Sequence, residues 1–363
     1  MTTREFRSLL IKDVTPETEE AVSVTFDVPG GLAEDFRFKP GQHVALRLRV
    51  DGIEQQRNYS ICSAPSAEGT LKIGVKRVAG GRFSQFVSSQ LKAGDRVDVM
   101  LPTGRFFITP DPSAAKSYLA IATGSGITPV LSIIAAILEG EPQSRVVLLF
   151  GNRETKSIMF RSVLEDLKDR FIDRLVVLHA LSREHLYSPV LSGRIDAQKI
   201  SAVLKSAFPG RLPDMAFLCG PTPVLKLARA ALESAGMPRE RVKHEIFFSQ
   251  APRTAPPAVP ADAAVQEIAP PYASARIRLN GREKVIPIAA GETIIEAATR
   301  AGLEAPFACK GGMCSSCRAK LVEGKVEMEV NYALEPWELD AGFVLTCQSR
   351  PTTKRIAVDY DAR

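Results

Sequence analysis

The 363-residue chain reads as a multidomain protein: an antiparallel β-barrel, an α/β domain on a parallel sheet, a linker and a small α+β domain. Three observations carry this. Short apolar and β-branched runs broken by turn signals fill the stretch before Pro110, which is the spacing of a small barrel. Beyond it, strand-like and helix-like segments alternate, implying a parallel sheet with helices on both faces. A stretch rich in proline and alanine, residues 249–271, then interrupts all periodicity and sets off the end of the chain. The length also exceeds what one compact core serves.

The expected boundaries are 1–110 for the barrel, 111–248 for the α/β domain, 249–271 for the linker and 272–363 for the last domain. Barrel strands are expected at Ala21–Asp27, His43–Val50, Leu71–Val75 and Arg96–Met100. In the α/β part, Tyr118–Ala122 precedes a helix from about Pro129, and Val146–Phe150 precedes one near Lys156–Lys168. Leu175–Leu181 follows, Met215–Cys219 leads into a helix over Val224–Ser234, and Val242–Phe247 closes the series. The last domain opens with Ala275–Leu279, Asn280-Gly281 and Lys284–Ile288. Asn-Gly between two strand-like runs predicts a hairpin, because both central turn residues need positive φ. A helix over Thr293–Ala301 completes the reading, and no internal repeat is present.

Composition excludes several classes. Lys+Arg 47 against Asp+Glu 41 leaves +6, spread without a basic block, which argues against nucleic-acid binding. The longest apolar runs, such as Val130 to Leu138, are too short to span a bilayer, so no membrane is expected. The start has no apolar signal region, and four of the six cysteines cluster between Cys309 and Cys347. A metal or cluster site in a reducing, cytoplasmic compartment is therefore expected rather than a disulfide framework.

The cysteine cluster is the most specific motif. Cys309-Lys-Gly-Gly-Met-Cys314-Ser-Ser-Cys317, with Cys347 downstream, has the C-x4-C-x2-C…C spacing of plant-type [2Fe–2S] clusters. Gly311 and Gly312 suit a backbone that wraps closely around a cluster. A four-cysteine zinc site is the competing reading, but such modules usually carry two C-x2-C knuckles.

Other residues point to a flavin and a nicotinamide nucleotide. Arg57-Asn-Tyr59-Ser60 offers a cation, an aromatic face for an isoalloxazine ring and a hydroxyl near its reactive nitrogen. Lys76 and Gly80-Gly81-Arg82-Phe83-Ser84 supply cationic and backbone donors for a pyrophosphate. Gly124-Ser-Gly126-Ile-Thr128-Pro129 follows a strand and opens a helix, where free N–H groups favour anions. Pro129 departs from the dinucleotide fingerprint G-x-G-x-x-G. Cys219-Gly220-Pro221 repeats the strand-then-turn arrangement. Ser182-Arg183 and Arg153 sit after strands, where either arginine could hold the 2′-phosphate of NADP; a plain surface arginine is the alternative for both. His43, His179, His185 and His244 show no metal-ligand spacing, and His43 and His244 read as structural.

Taken in order, Arg57-x-Tyr59-Ser60, Gly124-x-Gly126-x-x-Pro129, Cys219-Gly220-Pro221 and Glu245-x-Phe247 resemble the ferredoxin–NADP reductase superfamily over about residues 4–248. A plant-type ferredoxin domain, of β-grasp fold, resembles the remainder. Phe38-Lys-Pro40-Gly41-Gln42-His43 and the flanks of Cys347, Asn331 to Pro336 and Ala341 to Gln348, are most similar to the reductase subunits of ring-1,2-phenylacetyl-CoA epoxidases. The resemblance implies FAD contacts by Arg57, Tyr59 and Ser60, with Lys76, Gly81, Arg82 and Ser84 on its phosphates. It implies that Gly124, Gly126, Thr128, Cys219 and Gly220 line the nicotinamide path, with Glu245 near the flavin. Simple members often end in an aromatic residue over the flavin; this chain runs on past Phe247 and Phe248 into the linker.

The activity implied by the resemblance is that of an electron-transfer reductase. Hydride from NADPH or NADH would reach FAD, and single electrons would leave through the cluster to the oxygenase component of a multicomponent monooxygenase. Tyr59, Ser60, Cys219 and Glu245 are the expected catalytic set. A Rieske-type or steroid oxygenase is the alternative acceptor, and a non-catalytic Fe–S sensor is the alternative of another class.

Overall fold

The computed structural model of the protein describes residues 6–65, 70–184, 191–247, 272–307, 310–312, 315–334 and 336–362. The stretch 249–271, His185, Phe248, Cys309 and Cys314 lie outside the described residues. Two compact units are present, the first holding the barrel and the parallel sheet, the second the C-terminal domain.

Strands β1 (Phe6–Thr18), β2 (Ala21–Asp27), β3 (His43–Val50), β4 (Ile53–Ser60), β5 (Leu71–Lys76) and β6 (Arg96–Met100) form one sheet in the order β4-β3-β6-β1-β2-β5. Ile61, just past β4, bridges Ile73 of β5, so the two ends of the sheet meet as a barrel requires. Leu9, Val24, Leu46, Ile73 and Val99 fill the interior with no exposure. Helix α1 (Arg82–Ser89) sinks Phe83 and Val87 into the same core. Each such side chain contributes about 1.5–3 kcal/mol on burial.

The second layer runs β7 (Ser117–Thr123), α2 (Ile127–Gly140), β8 (Arg145–Asn152), α3 (Arg161–Arg170), β9 (Leu175–Leu181), α4 (Ala197–Ala207), β10 (Met215–Gly220), α5 (Thr222–Ser234) and β11 (Val242–Ile246). Its sheet is parallel, in the order β11-β10-β7-β8-β9. Alternate residues serve opposite faces. Tyr118, Leu148 and Phe150 pack with Val130, Ile134 and Leu164 from α2 and α3, whereas Leu119, Leu149 and Leu218 pack with Val203, Leu225 and Leu232 from α4 and α5. The helix expected near Lys156–Lys168 begins only at Arg161. Phe160, buried and left-handed at φ 56°, separates it from a short 3-10 turn at Thr155–Ser157.

In the C-terminal unit, β12 (Ala273–Leu279), β13 (Arg282–Ile288), α6 (Ile294–Arg300), β14 (Arg318–Glu323), β15 (Val326–Met328), α7 (Pro336–Asp340), β16 (Phe343–Leu345), β17 (Ser349–Pro351) and β18 (Arg355–Asp359) follow. The mixed sheet β13-β12-β18-β14-β16, with α6 sharing its core, is a β-grasp. The Asn280-Gly281 turn has both φ angles positive, 54° and 73°, and both N–H groups donate to the Asp361 carboxylate. Thr293 and Glu296 form a capping box at the start of α6.

Candidate active site where the parallel sheet meets the barrel

The strand order reverses between β7 and β10: β8 and β9 lie on one side, β11 on the other. Ligands of open α/β sheets bind outside the carboxyl ends of strands at such a switch point. Here β7 ends in Gly124–Gly126 and β10 ends in Cys219-Gly220. A Cβ at Gly126 would overlap the Cys219 carbonyl, and one at Gly220 would overlap Thr123 Oγ1. Two glycines thus let the turns after neighbouring strands close on each other. Thr128 is buried beneath the barrel, its methyl so near Gly74 of β5 that a Cβ there would lie 2.6 Å away. Ser132 Oγ donates to the Ser63 carbonyl at 2.6 Å, fixing the barrel on α2.

The expected catalytic residues Ser60, Cys219 and Glu245 come together here. Ser60 Oγ donates to Glu245 Oε2 at 3.2 Å. Cys219 pairs in register with Glu245 across β10 and β11. Burial, and then the Glu245 charge, push the Cys219 thiol well above its ordinary range, so it stays a neutral S–H. His43 is a member that sequence reasoning left as structural: its Nδ1 lies 3.8 Å from Glu245 Oε1, and it is buried. Burial lowers its pKa from 6.5 to about 4, so at neutral pH this is a neutral ring against a carboxylate and not an ion pair.

That depression has a stability consequence. The unfolded chain takes up the histidine proton near pH 6.5 and the folded one near pH 4. The stabilisation is complete above pH 6.5 and lost as pH falls through this window, amounting to about 2–3 kcal/mol. Urea titrations at pH 7 and pH 4.5 should show His43→Gln losing less stability on acidification than the wild type, by that amount. Equal losses would mean that His43 does not titrate with folding.

Tyr59 lies nearby, half-buried on β4, its ring stacked on Phe83 with centroids 6.0 Å apart. Arg57 donates from Nη1 to the Gln56 carbonyl at 2.7 Å. Gly81 caps α1 without a side-chain cap bond. Ser84 Oγ accepts from the Val78 N–H and donates to the Gly81 carbonyl, each at 3.0 Å, and so braces the loop. Arg82 reaches outward to Asp51 at 3.8 Å.

Lys76 and Arg153, assigned to different phosphates from sequence, both meet Glu20: Lys76 Nζ lies 3.6 Å away and Arg153 hydrogen-bonds it. Burial, then Arg153, lowers the Lys76 pKa. Ser182 and Arg183 are exposed beyond β9, and their N–H groups donate to the carbonyls of Asn152 and Arg153. Glu184 accepts from Thr155 N–H at 2.6 Å and its hydroxyl at 2.7 Å, bonds that hold its carboxyl below the usual range. Glu20 and Glu184 had no signal in the sequence beyond being single carboxylates. Thr123 Oγ1, Asn152 Nδ2 and Thr222 Oγ1 are buried without a protein partner at the carboxyl ends of β7, β8 and β10. Orphaned donors and acceptors there fit a polar nucleotide.

In the second unit, Cys317 and Cys347 are buried, at 2% and 5% exposure. Thr346 donates from its N–H and its Oγ1 to the Cys317 carbonyl, at 3.2 and 2.9 Å. Gln348 Nε2 donates to the Lys310 carbonyl at 2.8 Å and lies 3.7 Å from Cys347 Sγ. Lys310, Gly312 and Ser315 are left-handed, with φ of 49°, 74° and 50°, so the backbone turns sharply at each of these positions. Buried thiols beside a sharply turning backbone fit a thiolate-held cluster.

Comparison with known proteins bears on all three parts. Residues 10–108 match the oxidoreductase FAD-binding domain family, residues 120–230 the oxidoreductase NAD-binding domain family, and residues 277–352 the 2Fe-2S iron-sulfur cluster binding domain family. The chain is 43% identical to a subunit of the 1,2-phenylacetyl-CoA epoxidase of Escherichia coli K12, over 99% of this chain and 98% of that one. It is 36% identical to the ferredoxin reductase component of 3-ketosteroid-9-alpha-monooxygenase from Mycobacterium tuberculosis, covering 97% and 95%. The chain belongs to the reductase components of multicomponent oxygenases. Phthalate dioxygenase reductase shares the reductase's fold across 98% of both chains, with a TM-score of 0.59 at 23% identity. The reductase is therefore an oxidoreductase with FAD, NAD and [2Fe–2S] domains, and its three-part architecture is the one the sequence predicts. Among the described residues, no helix is long and apolar enough to cross a membrane.

Proposed function

We propose that this reductase draws electrons from NADPH in the cytoplasm and delivers them singly to the oxygenase component of a phenylacetyl-CoA epoxidase. The observation that carries the choice of acceptor is the 43% identity, end to end, with a subunit of such an epoxidase. A steroid monooxygenase is the second reading, favoured by the 36% identity over nearly as much chain.

Bound FAD supplies the conversion between a hydride pair and single electrons, and a cluster held by Cys309, Cys314, Cys317 and Cys347 carries the latter. The chain's residues position and insulate. Tyr59 offers a ring face to the flavin beside Arg57 and Ser60, and Lys76, Gly81, Arg82 and Ser84 with its loop serve the flavin phosphates. Gly124, Gly126, Thr128 and Gly220 shape the nicotinamide entry. Ser60 and Glu245 hold a proton between their oxygens at the buried wall of the site, and Cys219 keeps that wall dry with a neutral thiol. The domain limits 1–110, 111–248, 249–271 and 272–363 belong to the same proposal.

Reconstitution with purified oxygenase components tests the acceptor. Epoxide from phenylacetyl-CoA, driven by NADPH, is the expected result; hydroxylated steroid instead would favour the second reading. Cofactor choice has its own test. The Arg183 guanidinium, with Ser182, is assigned to the 2′-phosphate, with Arg153 one strand away. Hydrogen bonds to charged groups contribute about 1.5–3 kcal/mol, so Arg183→Ala should raise the KM for NADPH by roughly 10- to 100-fold. The KM for NADH should stay within about twofold. Equal changes would remove Arg183 from that role.

A further inference from the structure

The turn between β1 and β2 carries Glu20, one residue before β2 begins at Ala21. Its carboxylate is shared by cations from both layers of the first unit. Lys76 Nζ, at the end of β5 in the barrel, lies 3.6 Å from Oε2. Arg153, just past the end of β8 in the parallel sheet, donates from Nη2 to the same oxygen. The backbone around Glu20 is fixed: its N–H donates to Thr18 Oγ1 at 3.2 Å, and its carbonyl accepts from the Arg77 N–H at 2.6 Å. Two cations brought this close repel each other, and Glu20 is the carboxylate that meets both.

Arg153 stands beside the pair assigned to the 2′-phosphate. Its carbonyl accepts from the Arg183 N–H at 2.8 Å, and the Asn152 carbonyl accepts from the Ser182 N–H at 3.0 Å, so the two arginines occupy adjacent backbone positions past β8 and β9. Asn152 is buried, and its Nδ2 has no protein partner among the described residues. The side chains of Glu20 and Arg153 are 46% and 39% exposed, so a ligand can reach the pair and water makes its bond exchangeable. With Lys76 serving the flavin phosphates, Arg153 is the cation left to Glu20. A phosphate dianion placed on Arg153 would also lie near the Glu20 carboxylate, and like charges at that range oppose each other. One guanidinium thus has two anionic claimants, one built into the chain and one carried by the nucleotide.

We propose that Glu20 is a specificity-determining residue: its carboxylate competes with the 2′-phosphate of the nicotinamide nucleotide for Arg153, and so loosens the hold on NADPH and NADP+ but not on NADH. The proposal rests on the reading of NADPH as the donor. The test is calorimetric binding of two probes to the full-length reductase with its flavin and cluster in place. The probes are adenosine 2′,5′-bisphosphate and 5′-AMP, which differ only in the 2′-phosphate. Glu20→Gln should bind the bisphosphate about fivefold tighter or more, because it removes a partly exposed ion pair and a repelling charge together. Its affinity for 5′-AMP should stay within about twofold of wild type. In an Arg153→Ala background the same substitution should bring little of this gain, since the contested guanidinium is gone. Unchanged or weaker bisphosphate binding by Glu20→Gln would overturn the competition. Equal tightening of both probes, or a full gain without Arg153, would overturn it too. Wild-type reductase that binds the two probes equally would instead overturn the reading of NADPH as the donor.

Discussion

Cys347→Ser reductase should retain ferricyanide reduction by NADPH within about twofold of wild type and lose electron delivery to the oxygenase by more than about 100-fold. The thiolate is the metal ligand, and a serine hydroxyl stays protonated where a thiol ionises. Cys347 is buried at 5% exposure, so bulk water has little access to its place. Even residues that only support a ligand change metal affinity by about 10- to 100-fold when removed, and loss of a ligand costs more. Iron and acid-labile sulfide per chain should fall with the turnover. Cys62→Ser is the matched control. That thiol is also buried, but it donates to the Lys72 carbonyl at 3.3 Å inside the first unit, and burial raises its pKa far above the thiolate range. It should keep full iron and full delivery. Wild-type epoxidation by the Cys347→Ser protein would falsify the cluster as the exit for electrons.

The residues behind this expectation are visible in the sequence because each is bound to a local rule. C-x4-C-x2-C needs only a count, Asn280-Gly281 needs only its neighbours, and Thr293 with Glu296 is a capping box within four residues. The barrel is legible in β2, β3, β5 and β6, whose apolar runs are dense. Strands β1 and β4 escape for opposite reasons. β1 is long, carries Pro16, and slips register at Ile11/Asp13 and again at Pro16/Thr18, so its alternation never holds for long. β4, IEQQRNYS, is an edge strand with almost no apolar side chains, and its place is set by its partner β3. Helix α4 escapes although Asp196 caps it by accepting from the Lys199 N–H at 2.8 Å. In the site, Cys219 and Glu245 are paired across two strands of the sheet, and Ser60 joins them only through the docking of barrel on sheet. Their association is carried by family resemblance. Glu20 and Glu184, which no motif marks, and His43, which the sequence reads as structural, stay outside any site read from sequence.

The two glycines of Gly124-Ser-Gly126 show how one motif holds two physical demands, and substituting them separately should split those demands. Both read in the sequence as room for a phosphate. Gly124 has φ of +53° and open space, its nearest neighbour to a new Cβ being Lys76 Nζ at 3.9 Å. Its requirement is conformational, so Gly124→Asn should cost about 1 kcal/mol or less, since asparagine tolerates the left-handed region. Gly126 has φ of −61°, which any residue adopts. Its requirement is steric: a Cβ would overlap the Cys219 carbonyl oxygen and lie 2.7 Å from its carbon, and both are backbone atoms that cannot rotate away. Gly126→Ala must therefore part the turn after β7 from the end of β10, where Cys219 stands. Overpacking of this kind costs about 1–3 kcal/mol of stability. The larger effect is on hydride transfer, where a displacement of about 1 Å can cost 100-fold. The expected outcome for Gly126→Ala is a kcat/KM for NADPH lower by at least about 100-fold, with flavin and cluster absorbance retained. Stopped-flow reduction of the flavin separates the two cases: Gly124→Asn should be reduced at nearly the wild-type rate, and Gly126→Ala should not. Equal rates in both variants would mean that the approach of the two strand ends is not what aligns the nicotinamide.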